Sequence, residues 1–202
     1  WMKVVKPQIH FSHPFYIEIY TQLATFYELN DQYDLAEDAL DKAFNATTLI
    51  FDRSEVAYAN IIVRIANLFT TIGEYSKSEK YLNLALEVLY NSRKEGNNII
   101  YYVNGLETKA RLFSTKGHYD EAEDIILSTK KMIRKSDVRY DMTVSDDELA
   151  RLNLNMGLYS AAGEIIDKSI ASKEKSFGGD SKSLIEPLVV SGRLKLISGE
   201  YT

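Results

Sequence analysis

Few residues of this chain could do covalent or metal chemistry. Of its 202 residues none is cysteine and only His10, His13 and His118 are histidine. His10 and His13 stand three apart, a spacing that can turn two imidazoles toward one ion, but no cysteine or acidic ligand set accompanies them. His118 falls inside a predicted turn and is expected to face solvent. There is no G-x-S-x-G elbow, Walker loop, dinucleotide fingerprint or zinc motif. Gly178-Gly179 follows no strand and reads as a linker. The acidic groups Glu37, Asp38, Asp41 and Glu121, Glu123, Asp124 read as solvated outer faces of helices. The reading is a chain with no catalytic, cofactor-binding or metal-ligating residue set, and therefore not an enzyme.

The bulk properties narrow the field further. A formal charge of −5 without a basic stripe argues against a nucleic-acid partner. Hydrophobic residues at 45% and charged residues at 26% are ordinary for a soluble globular protein. No run of 18 apolar residues spans a bilayer, so no membrane partner is expected. Without cysteine there is no disulfide framework; the cytoplasm is the compartment chosen, although an exported chain would look the same.

What remains is the framework that positions the polar side chains, and it is periodic. Asn30-Asp31-Gln32-Tyr33, Ile72-Gly73-Glu74-Tyr75, Lys116-Gly117-His118-Tyr119, Met156-Gly157-Leu158-Tyr159 and Ser198-Gly199-Glu200-Tyr201 each set a turn residue two places before a tyrosine. The tyrosines are 42, 44, 40 and 42 residues apart. A period of this size means stacked supersecondary units with extended binding surfaces. Around each mark the apolar spacing gives a helix on either side. Tyr20, Leu23, Ala24 and Tyr27 share a helical face, as do Ala36, Leu40 and Ala43. Ile62, Ile65, Ala66 and Phe69 precede Leu82 and Ala85; Leu106, Ala110 and Phe113 precede Ala122 and Ile126.

Small residues recur where two such helices must approach most closely. Ala24, Ala66, Ala110, Ala150 and Gly192 hold one equivalent position, and Ala36, Ser78, Ala122 and Ala162 hold its counterpart. Gly73, Gly117, Gly157 and Gly199, with Asp31 in the first unit, suit the left-handed residue that ends a helix. The following tyrosine is expected to pack under the turn. The fourth unit is degraded: Asp146 and Asn153 stand at apolar positions, and Ser145-Asp146-Asp147-Glu148 reads as a capping box, predicting a late, short helix after a loop over 135–141. Pro187 is tolerable only in the first turn of the last helix.

These residues resemble the tetratricopeptide repeat. The usual unit is about 34 residues; the longer period here is similar to the subclass found in kinesin light chains. The stretch 165–181, IIDKSIASKEKSFGGDS, resembles the second helix and linker of that subclass, and Ser12-His13-Pro14 matches the linker's terminal His-Pro, which accounts for His13 better than a metal does. A HEAT-like solenoid has a similar period but does not predict the five Gly/Asp-x-Tyr turns. The resemblance implies an all-α, right-handed α-solenoid of antiparallel helix pairs, about four and a half repeats in one array over 1–202. Residues 1–11 are the tail of a preceding unit or a linker; repeats follow at 12–53, 54–97, 98–135 and 136–180, and 181–202 is the first helix of a fifth. Both ends read as cut from a longer protein. Leu188, Leu194 and Leu196 would then be left partly uncovered, which predicts pairing of two copies through that helix.

The resemblance also implies where a ligand lies. First helices line a groove, and the residue after the small Ala/Gly points into it: Thr25, Asn67, Arg111, Arg151, Arg193. Arg64 joins from a neighbouring turn, with Asn60 and Asn104 one turn earlier. Asn60, Arg64, Asn67, Asn104, Arg111, Arg151 and Arg193 form a polar, partly basic site for an acidic peptide or protein segment. The competing explanation is intrahelical ion pairing of Glu107 with Arg111 and Asp147 with Arg151. A chaperone-type carboxylate clamp is rejected, because Thr21, Thr25 and Glu107 stand where it needs Lys or Asn. The expected function is a non-catalytic protein–protein interaction scaffold; the alternative is a ligand- or peptide-sensing regulatory domain of a larger signalling protein.

Overall fold

A left-handed residue closes each helix that precedes a tyrosine mark, and this fixes the hairpins. In the computed structural model, which describes residues 13–136 and 143–199, Gly73, Gly117, Gly157 and Gly199 have φ of 87°, 82°, 77° and 77°, and Asp31 takes the same region at 56°. The N–H of Gln32, Glu74, His118 and Leu158 reaches back five residues to a helix carbonyl at 2.8–2.9 Å, capping what the helix end leaves open. The tyrosines behave less uniformly than expected. Tyr33 and Tyr159 are exposed rather than tucked under the turn; Tyr33 donates its hydroxyl to Asp31 at 2.9 Å. His10, Ser12, the reading of 1–11, most of the 135–141 loop and Tyr201 lie outside the described residues.

Among the described residues the fold is all-α, made of packed helix pairs, with no strand. The chain divides into two compact units, Trp1–Leu89 and Tyr90–Thr202. The first holds α1 (Phe15–Glu28), α2 (Tyr33–Ile50), α3 (Val56–Thr71) and most of α4 (Tyr75–Ser92). Ala24, Ala36, Leu40, Ala43, Ile62, Ile65, Ala66, Phe69, Leu82 and Ala85 are buried, as the spacing predicts. The α1 face is rotated from the sequence reading: Ile17, Thr21 and Ala24 point inward and Leu23 is exposed. Ser78 meets Thr70 through a 2.7 Å hydroxyl bond at the α3–α4 crossing, so a polar atom fits there without being orphaned. Lys77 of α4 bridges to Glu37 at 2.7 Å and Asp41 at 2.6 Å on α2. Those two acids therefore tie helices together rather than merely facing water.

The second unit holds α5 (Ile99–Thr115), α6 (Tyr119–Arg134), α7 (Thr143–Asn155), α8 (Tyr159–Phe177), a 3-10 turn Lys182–Leu184 and α9 (Ile185–Ser198). One cluster joins Ala110, Ala122, Ile126 and Leu152; another joins Ala150, Leu154, Ala162, Ile166 and Val190. Pro187 sits in the first turn of α9, where its missing N–H costs nothing. The capping-box reading is corrected: Ser145 lies inside α7, and its hydroxyl donates to Glu107 of α5 at 2.6 Å. Gly192 is corrected too. It is exposed, and a Cβ there would meet nothing within 4 Å. The glycine that a neighbour approaches is Gly163, whose added Cβ would stand 3.3 Å from Leu194. Leu194 is accordingly half-buried against the α8 core, while Leu188 and Leu196 remain exposed.

Candidate functional site

First helices lie side by side within each unit: α1 with α3, and α5 with α7 and α7 with α9. On the α1–α3 face a pocket of about 210 Å³ is lined by Thr21, Gln22, Thr25, Arg64, Asn67 and Leu68. Two sequence candidates, Arg64 and Asn67, meet here, and Thr25 joins them from α1. Asn60 is half-buried one turn earlier on α3. Arg64 donates to Glu18 at 3.4 Å with both side chains about half exposed, a contact weakened by water on every side. Gln22 donates to the other oxygen of Glu18 at 2.8 Å. That bond, helped by Arg64 and opposed by slight burial, holds the Glu18 carboxyl below its usual range.

The second unit brings Arg111 and Arg151 together around one carboxylate. Glu148 of α7 is 5% exposed and pairs with Arg111 of α5 and, at 3.5 Å, with Arg151 Nε. Arg151 Nη2 donates to Glu186 of α9 at 2.5 Å. Burial works against the Arg111 charge, but Glu148, with Glu186 and Glu107 behind it, outweighs burial and raises the guanidinium above its ordinary value. Burial likewise works against the Glu186 charge, and Arg151 and Arg111 override it, holding that carboxyl low. Asn104 is half-buried on α5, and Arg193 is exposed on α9.

The proposed Asp147–Arg151 pair does not form. Asp147 turns toward α8, accepting from Ser169 and Lys173, while Arg151 takes Glu148 and Glu186. Desolvation raises the Asp147 carboxyl above its usual range, with Lys173 and Ser169 pulling the other way. Glu107 is buried and accepts from Ser145, so a fixed acid occupies a place that a carboxylate clamp would need neutral or basic. The sequence reading missed Glu148, Glu186 and Glu18. Only Glu148 carried a local signal, three residues before Arg151 on the same helix; Glu18 and Glu186 lie 46 and 35 residues from the arginines they meet. His118 is exposed in its turn as expected. Among the described residues no three His, Cys, Asp or Glu converge as a metal site, and no helix is long and apolar enough to cross a membrane.

Helix hairpins closed by left-handed turns, small residues at the crossings and polar first-helix faces define a tetratricopeptide-like helical repeat. Residues 15–91 match the tetratricopeptide repeat family, whose members mediate protein–protein interaction. The helix pairs have the fold of TPR-like repeats, similar to those of the kinesin-light-chain kind. The crystal structure of nearly identical TPR-like repeats from a Podosopora anserina protein assigned as a kinesin light chain superposes with a TM-score of 0.58 at 17% identity, covering 93% of this chain and 89% of that one. A point-substituted form of the same Podosopora anserina protein superposes with the same score, identity and coverage. No curated protein matches the chain in sequence.

Proposed function

We propose that this chain is a non-catalytic protein-interaction module that holds an extended, acidic segment of another protein against its first helices. The pocket beside Arg64 and Asn67 carries the reading. Its lining sets hydroxyl, carboxamide and guanidinium groups together beside the apolar wall of Leu68. A carboxamide donates to and accepts from a peptide group at once, and a guanidinium takes a carboxylate with two parallel bonds. In the second unit Arg193 is exposed for the same carboxylate chemistry, and Arg151 reaches it by exchanging the exposed Glu186. The match of 15–91 to an interaction family supports the class of partner.

The test is selection of a displayed random-peptide library on the purified protein. Selected peptides should be enriched in Asp and Glu. Joint substitution of Arg64→Ala and Asn67→Ala should weaken them about tenfold or more, as for contacts at the centre of an interface. Peptides that bind this double variant as well as the parent would sink the assignment.

A second copy of the chain is the further partner we assign, on the exposed face of α9. Ile185, Leu188 and Leu196 are exposed around Gly192, and the two leucines stand four residues to either side of it. An antiparallel crossing at Gly192 sets each Leu188 against the partner's Leu196, which is the self-complementarity a two-fold contact requires. Sedimentation should show concentration-dependent dimers that Leu188→Asp abolishes; monomers at high concentration would exclude it.

A further inference from the structure

Arg111 and Arg151 of the second unit are already answered by carboxylates, and the members of this ladder are unequally held. Glu148 is buried between Arg111 and Arg151, so its departure would strand two charges away from water. Glu186 is different. It reaches Arg151 from the first turn of α9, yet its side chain is 58% exposed. Arg151 itself is only 14% exposed, and its buried Nε faces Glu148 at 3.5 Å as an ion pair without a hydrogen bond. An ion pair open to solvent on one side contributes little and exchanges readily, so Glu186 is the member that an incoming group can displace while Glu148 keeps the guanidinium oriented.

We propose that Glu186 is an internal stand-in for the ligand: a carboxylate of the chain itself that occupies Arg151 until an acidic segment of the partner takes its place. This rests on the reading that the arginine face accepts an acidic segment, and it adds a rule of selection. A single external carboxylate only replaces an equal one that is tethered beside the site and acts at high effective concentration. A segment with two carboxylates gains, because Arg193 stands seven residues after Glu186 on the same face of α9. Two helical turns span roughly 10 Å, about three residues of extended chain. The preferred segment therefore carries acidic residues three apart, one on Arg151 and one on Arg193.

Fluorescence anisotropy with labelled hexaglutamate, and hexaglutamine as control, tests this on the intact chain. Glu186→Gln should bind hexaglutamate about tenfold tighter than the parent, a change of about 1.4 kcal/mol. Glu174→Gln, an exposed acid on α8, gives the same net charge and should change binding less than roughly twofold. Arg151→Gln added to Glu186→Gln should erase the gain; if that double variant loses its helical circular dichroism, Arg193→Gln in the same background should reduce the gain several-fold. Equal binding by the parent and Glu186→Gln, a gain that survives loss of Arg151, or an equal gain from Glu174→Gln would each overturn the stand-in. Equal binding that Arg151→Gln still weakens would leave the acidic-segment reading intact and remove only the stand-in. Hexaglutamate bound by neither the parent nor Glu186→Gln would remove both.

Discussion

Lys173, with 3% of its side chain exposed, donates to Asp147, whose second oxygen accepts from Ser169. A buried pair of this kind tolerates joint replacement far better than the loss of one member, since a lone buried charge has neither water nor a partner. Lys173→Met should cost about 3–5 kcal/mol in urea unfolding, and adding Asp147→Leu should recover most of it; equal stabilities of the single and double variants would refute the pairing. The pH dependence separates two acids of the second unit. Glu186 is held below its ordinary value of 4.5, so the stability it contributes is present above that value and lost as pH falls through the depressed one. Asp147 is raised above 3.8 by burial, so the folded state takes up its proton first and gains stability as pH falls. Glu186→Gln should therefore lose less stability than the parent between about pH 5 and 3, read as urea midpoints.

Helix crossings were legible wherever a small residue recurs and a partner helix is present. Ala24, Ala66, Ala110 and Ala150 are 0–1% exposed, and the alternating turn residues closed their helices as the spacing required. Gly192 holds the same register, yet nothing lies near it. Register tells where a helix can be approached, not whether another helix comes. The two positions should answer mutation oppositely. Ala66→Leu should cost about 1–3 kcal/mol through overpacking, whereas in the chain diluted to monomers Gly192→Ala should gain about 0.8–1 kcal/mol from helix propensity. Chemical denaturation measures both, and a destabilised Gly192→Ala would mean that something covers that face. The capping-box misreading has a related cause: Ser145 spends its hydroxyl on Glu107, 38 residues away, and a four-residue motif carries no information about so distant an acceptor.

Each compact unit has its own core, centred on Ile62, Ile65 and Phe69 in the first and on the Ala150 and Ala110 clusters in the second. Repeat arrays draw their stability from near neighbours, so local damage need not spread. In Lys173→Met, hydrogen exchange should quicken at Ala150, Ala162 and Ile166 while Ile62, Ile65 and Phe69 keep their protection. A uniform loss along the chain would show that the units melt as one.

Composition and period alone determined the helix pairs, the left-handed turns and the absence of recognisable catalytic motifs, because those follow from backbone sterics and from which residues can lie on one helical face. The resemblance to the tetratricopeptide repeat, rather than composition or period, put Arg64, Asn67, Arg111 and Arg151 on the first helices' polar face. Only the tertiary structure decided which of these arginines meets which acid. Glu18, Glu148 and Glu186 come from a preceding helix, the same helix and a following one, and Coulomb's law acts on distance through space rather than along the chain.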